Sequence, residues 1–208
     1  MIISSKITNE RWIWVKIPKT GTRAYSQLFN PHPESELHFH YTFHSLYDHH
    51  QRQYPGFTVI RHPRTRFISA LKHLVSLYQD KCGVPYNNMK HLVEFFYDNF
   101  DRNCVPKQNK TLQEIFQENL TKHHVAFFAS QTFWAYHPKV TWFKYENLQQ
   151  FNQWIETRLG YDTSKLQQIG KVDKNHLEHL DFQHSSFQKV VHHLFQDDFT
   201  LFDYPEDV

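Results

Sequence analysis

Residues 12 to 22 read Trp-Ile-Trp-Val-Lys-Ile-Pro-Lys-Thr-Gly-Thr, an apolar run that breaks abruptly into Pro18-Lys19-Thr20-Gly21-Thr22. Trp12, Trp14 and Ile17, with Ile13 and Val15 between them, have the density of a buried strand, expected over 11–17. The run from Arg23 to Phe29 suits a helix, expected over 22–29. A strand, a tight polar loop and a helix N-terminus together make an anion site. The first N–H groups of a helix have no partner, and its dipole favours negative charge there. Gly21 lets the backbone approach the anion, and Lys19 adds a mobile positive charge. The loop points to a phosphate-like ligand.

The rest of the chain alternates in the same way. A short strand is expected at 36–40, a helix at 43–51, a strand at 57–61 and a helix at 64–79. Gly56 to Arg61 has the continuous apolar look of a buried parallel strand. A helix at 88–100 lies between turn signals at 82–85 and 105–106, and Thr111 with Glu114 reads as a capping box. One or two helices up to Tyr136 follow, then a strand from Val140 to Tyr145, a helix at 147–159 ending at Gly160, and a last helix at 184–197. Strands alternating with helices predict an α/β chain with a parallel sheet covered on both faces. At 208 residues one domain over 1–208 is expected, too short for two comfortable ones.

Composition narrows the function. The formal net charge is +2, without the basic excess of a duplex-DNA binder, so no nucleic-acid partner is expected. The 17 histidines make the surface far more positive on mild acidification, since unperturbed His titrates near ~6.5. No apolar run reaches transmembrane length and the N-terminus lacks the apolar core of a signal peptide. The expectation is a soluble, cytoplasmic chain with no membrane partner; the oligomeric state stays open. Cys82 and Cys104 are too few for a disulfide framework; they read as two free thiols, with a single disulfide between them left open.

A second signal lies in Thr58-Val59-Ile60-Arg61-His62-Pro63-Arg64-Thr65-Arg66-Phe67-Ile68-Ser69. Arg61 stands where a buried strand ends, the place where open α/β sheets collect ligands. Arg66 and Ser69 are three apart on the next helix, so a guanidinium and a hydroxyl share one face and suit a second phosphate. A solvated basic helix start is the bland alternative.

Together, the strand-end Pro-Lys-Thr-Gly-Thr loop and the strand-Arg-x-Pro-x-x-Arg-x-x-Ser segment resemble the sulfotransferases that use 3′-phosphoadenosine 5′-phosphosulfate (PAPS), the carbohydrate and heparan-sulfate-type branch in particular. Gln131, the segment Trp142 to Leu148 and the tail Val190 to Tyr204 extend the resemblance over nearly the whole chain. It implies a three-layer fold, a P-loop-like central parallel sheet flanked by helices. It further implies that Pro18, Lys19, Thr20, Gly21, Thr22 and Arg23 hold the 5′-phosphosulfate of PAPS, and that Arg61 and Ser69 hold its 3′-phosphate. The chain departs from the family pattern at His62, where Asp is usual, and at Arg23-Ala24, where Thr-Ser often stands.

The implied reaction moves a sulfuryl group to an acceptor hydroxyl, on a carbohydrate by inheritance from the resemblance. Lys19 would stabilise the leaving oxygen. The proton needs a base with a pKa near the working pH. His40-Tyr41-Thr42-Phe43 best matches the family's base segment, with His38 second. His38 and His40 with His44, His49 and His50 also permit a metal reading, but no spacing of a closed site completes it and no metal is expected. Two rival readings stand: a catalytically silent nucleotide- or glycan-binding module of the same fold, and a nucleotide kinase-like phosphotransferase. A Walker A loop would need Gly-x-x-x-x-Gly-Lys-Ser/Thr, whereas Lys19 precedes the only nearby glycine.

Overall fold

The computed structural model describes residues 1–29, 42–49, 53–79, 83–108, 111–115, 126–166 and 177–205. In chain order the first elements are β1 (Ile2–Ser4), β2 (Arg11–Trp14), α1 (Thr22–Leu28), α2 (Phe43–His49), β3 (Gly56–Ile60) and α3 (Pro63–Tyr78). Next come α4 (Met89–Asn99), β4 (Phe100–Asp101), β5 (Val105–Pro106), α5 (Leu112–Ile115) and α6 (Gln131–Ala135). The series ends with β6 (Val140–Lys144), α7 (Leu148–Trp154), α8 (Ser185–Leu194) and α9 (Gln196–Leu201). The residues group into two compact units, Met1–His62 with Gln131–Gly170, and Pro63–Ser130 with Lys171–Val208.

The first unit holds a four-stranded sheet in the order β1-β2-β3-β6. β2, β3 and β6 are parallel, as the alternation of strands and helices predicts, and β1 adds an antiparallel edge. The edge strand has no counterpart in the sequence reading, because Ile2-Ile3-Ser4 is too short to show a period. The short strand expected at 36–40 lies outside the described residues. β2 stops at Trp14, short of the expected Ile17. The Ile17 N–H turns back to the Val15 carbonyl at 3.2 Å, and Pro18 then has no N–H to give a ladder.

One face of this sheet carries Trp12, Trp14, Phe57, Val59 and Phe143 against Tyr25 and Phe29 of the first helical segment and Phe151 of α7. Trp14 and Phe57 are stacked with ring planes 4° apart, and Phe29 meets Trp14 edge-on at 4.9 Å. Large aromatics thus supply much of the burial in this unit. The other face is covered by α2: a Cβ on Gly56 would fall 2.4 Å from Phe43 Cε2, so this close approach requires glycine. The result is a mixed α/β unit with helices on both faces of a sheet that is parallel at its centre. After α7 the chain continues as a π-helical turn, Ile155–Leu159, and stops at Gly160 as expected.

In the second unit Phe67 of α3 packs on Phe96, Phe128, Phe187 and Phe195. The Thr111–Glu114 capping box forms in both directions, with Thr111 N–H donating to Glu114 Oε2 at 2.5 Å and Glu114 N–H to Thr111 Oγ1 at 3.2 Å. The last expected helix is two, α8 and α9, broken at Phe195. Cys104 is buried, and that burial pushes its thiol up, away from the reactive thiolate; Cys82 lies outside the described residues. Among the described residues no helix is long and apolar enough to cross a membrane.

Arg66 departs from its expected part. Its side chain is fully buried, and its guanidinium donates to the carbonyls of Phe127 (3.0 Å) and Ala129 (2.6 Å) beneath the Phe195 ring. Both Nη atoms thus donate to backbone, and Ser69 stands half-buried on the same helix. Arg66→Met keeps the volume and strips both carbonyls of this donor. Each stranded buried acceptor costs about 1–3 kcal/mol, so urea unfolding of the full chain should show a loss of about 3 kcal/mol. A loss below about 0.5 kcal/mol, the range of an ordinary surface change, would contradict the internal role.

Candidate functional site

The loop after β2 is built by backbone conformation before any side chain acts. Lys19 and Gly21 have φ of 68° and 81°, on either side of Thr20. Alternating hand over successive residues is the backbone pattern of anion-binding nests. For Lys19 the left-handed conformation costs about 1–2 kcal/mol, strain of the kind that folds retain at functional positions. Thr20 is buried, and its Oγ1 donates to the Ile17 carbonyl at 2.9 Å, tying the loop to its own start. Gly21 is the N-cap of α1 and offers no side-chain cap, and the first turn holds no acidic residue. α1 has only seven residues, so its dipole is small and the site's charge comes from side chains.

Three cations supply that charge. Lys19 is pushed down from 10.5 to about 8, first by burial and then by the positive charges of Arg23 and Arg61. Arg61 reaches the loop from the end of β3, where its Nη1 donates to the Lys19 carbonyl at 3.3 Å. Gathering like charges in a partly buried loop opposes protonation of Lys19, and a bound anion reverses that effect.

The end of β3 is held by side chains rather than by a ladder. Gln131 is fully buried at the start of α6 and grips the Arg61 backbone twice: its Oε1 accepts from the Arg61 N–H (2.7 Å) and its Nε2 donates to the Arg61 carbonyl (2.8 Å). Glu146 Oε1, just beyond β6, accepts from the His62 N–H at 2.9 Å. Deeper in, Thr58 Oγ1 donates to the Val15 carbonyl at 2.8 Å and joins the two parallel strands beneath the loop. The Arg61 guanidinium lies 4.7 Å over the Tyr145 ring.

Of the residues expected at the site, Pro18, Lys19, Thr20, Gly21, Thr22 and Arg23 form one loop, and Arg61 meets it at Lys19. Pro18 and Thr20 are buried, Lys19, Gly21, Thr22 and Arg61 half-buried, and Arg23 exposed. Ser69 belongs to the second unit. His38 and His40 lie outside the described residues. His44 is exposed on α2 with its ring edge-on to His137 at 5.2 Å, and among the described residues no group of three or more His, Cys, Asp or Glu side chains is placed to hold a metal.

Gln131, Tyr145 and Glu146 carry parts that the residue pattern did not assign. Their partners are 70 or 84 positions away along the chain for Gln131 and Glu146, so no local spacing reports them. Only their place in the segments resembling the sulfotransferases drew attention to them. Compared with family models, curated proteins and solved structures, the chain finds no match.

Gln131→Leu would leave the Arg61 N–H and carbonyl without their buried partners. Denaturation should register a loss of about 2 kcal/mol, and inorganic pyrophosphate should bind the variant more weakly than the wild type. Unchanged stability and unchanged pyrophosphate affinity together would show that the grip on Arg61 does not shape the site.

Proposed function

We propose that the chain is a PAPS-dependent sulfotransferase of the sulfotransferase fold, acting on an acceptor hydroxyl of a carbohydrate. The observation that carries this reading is the convergence of Lys19, Arg23 and Arg61 on a left-handed loop at the carboxyl ends of parallel strands. A loop of that charge and backbone suits a phosphosulfate, and the resemblance assigns it to the 5′ end of PAPS.

In the proposed reaction the acceptor oxygen attacks sulfur in line, forming one S–O bond as the S–O bond to the adenosine 3′,5′-bisphosphate breaks. The hydroxyl proton passes to His40, with His38 as second choice, a neutral imidazole near pH 7 being suited to accept it. The electron pair stays on the 5′-phosphate oxygen, where the Lys19 ammonium offsets the growing charge. With its pKa about 8, Lys19 is mostly protonated at pH 7, and the anion itself favours the charged form. Pro18 to Arg23 would hold the phosphosulfate, and Arg61 and Ser69 are the residues that the resemblance assigns to the 3′-phosphate.

A carbohydrate acceptor is supported by exposed aromatics. Phe133 and Tyr136, three apart, are 60% and 55% exposed in the first unit, and such ring faces stack on sugar C–H surfaces. Phe96, Phe127 and Phe128, by contrast, are core.

Transfer of labelled sulfate from PAPS to a panel of glycans tests the proposal. Lys19→Ala should lose at least a hundredfold in turnover, the size of an oxyanion-site deletion at about 3 kcal/mol. His40→Ala should lower turnover with bisphosphate affinity unchanged. Tight bisphosphate binding without transfer to any acceptor would point instead to a silent binding module, and absence of binding would overturn both.

A further inference from the structure

Tyr145 is the first residue after β6, and its ring meets both halves of the cation site. On one side the Arg61 guanidinium lies over it at 4.7 Å. On the other, a Cβ on Gly21 would stand 2.9 Å from Tyr145 Cε2 and 3.4 Å from Cδ2, so the loop closes against the ring and only a residue without a Cβ fits. The ring is itself backed by the aromatic core, against which it packs half-buried. Nearby, Tyr25 donates its hydroxyl to Asn152 Oδ1 at 2.6 Å, and burial together with Tyr145 raises that phenol to about 12.

We propose that Tyr145 is the positioning residue of this anion site, a rigid wall that aims Arg61 at Lys19 and sets how closely the glycine loop may approach. The proposal rests on the reading of the loop as the phosphosulfate site, and it adds a residue to which neither motif assigns a role. A guanidinium over a ring face is attracted by the ring's quadrupole. Its N–H donors radiate in its own plane, and the Lys19 carbonyl takes one of them. The flexible arginine is thereby restricted to orientations that serve an anion at the loop. An aliphatic side chain of similar size would fill the space but offer the guanidinium no ring face.

The charge on Lys19 reports this aim without any ligand. Arg23 from α1 and Arg61 from the end of β3 both act on Lys19. Among the described residues, the other titratable groups around the site include Tyr25 on α1, His62 after Arg61, and Tyr145 and Glu146 beyond β6. Tyr25 is neutral until far above neutrality. If the ring holds Arg61 in place, removing its face lets the guanidinium drift and releases part of the downward pressure on Lys19. The Lys19 titration midpoint then rises.

The test is lysine-¹³Cε NMR titration of the ligand-free protein, with Lys19 assigned through Lys19→Arg. Wild type and Tyr145→Phe should titrate alike, near 8. Tyr145→Leu and Tyr145→Met, which lack the aromatic face, should titrate measurably higher and bind adenosine 3′,5′-bisphosphate at least tenfold more weakly. Arg61→Gln should raise the midpoint as well, and Tyr145→Leu added to it should raise it no further. An unmoved midpoint in both aliphatic variants overturns the proposal, and so does loss of fold in both, which would assign the ring to the core alone. If the midpoint moves as expected but the wild type does not bind the bisphosphate, the positioning role stands and the reading of the ligand fails.

Discussion

The site depends on how the end of β3 is fixed. A parallel strand that runs past its ladder has backbone groups with no strand to meet, and here the Gln131 amide and the Glu146 carboxylate take them. Both are side chains from elements that follow β3 by more than 60 residues, so the strand end is finished only when the sheet is assembled. That grip sets the backbone from which Arg61 departs. Arg61 in turn donates to the Lys19 carbonyl and lies over Tyr145. The loop and the strand end are therefore one arrangement rather than two neighbouring motifs.

Electrostatically the arrangement is unfavourable in isolation. Lys19 is half-buried in the company of Arg23 and Arg61, and it is held in a left-handed backbone conformation. Burial and like charge both disfavour the ammonium, so its titration falls from 10.5 to about 8. Under the proposed function an anion would offset them, since it favours the charged ammonium. For the proposed transfer the same balance would suit catalysis by differential binding, because negative charge grows on the leaving phosphate oxygen beside Lys19.

Much of the sheet was legible in the sequence because its strands are dense in Trp, Phe, Val and Ile and its helices follow them closely. β3, α3, α4, β6 and the capping box at Thr111 lie within a residue or two of expectation. The short edge strand at Ile2–Ser4 was not legible, since three residues carry no period. The turned loop 18–22 was legible through a proline, a glycine and a strand end, all local. Arg66 misled for the same local reason: helical spacing put it beside Ser69, whereas tertiary packing buried it against the carbonyls of Phe127 and Ala129. Gln131 and Glu146 act across the fold, and no window of sequence contains both partners.

The claim that Lys19, Arg23 and Arg61 await an anion is tested most directly by calorimetric titration of adenosine 3′,5′-bisphosphate at about pH 8.5 in two buffers of different ionisation enthalpy. Because the Lys19 titration of the free protein lies below its ordinary value, at about 8, the free amine is largely neutral at that pH. An anion raises it again, so binding must take up protons, and affinity must fall as the pH rises further. If the three cations do await an anion, the heats differ between the buffers by the enthalpy of a fraction of a proton absorbed, and the difference is lost in Lys19→Ala. Binding with identical heats in both buffers, or no binding at all, would contradict that claim.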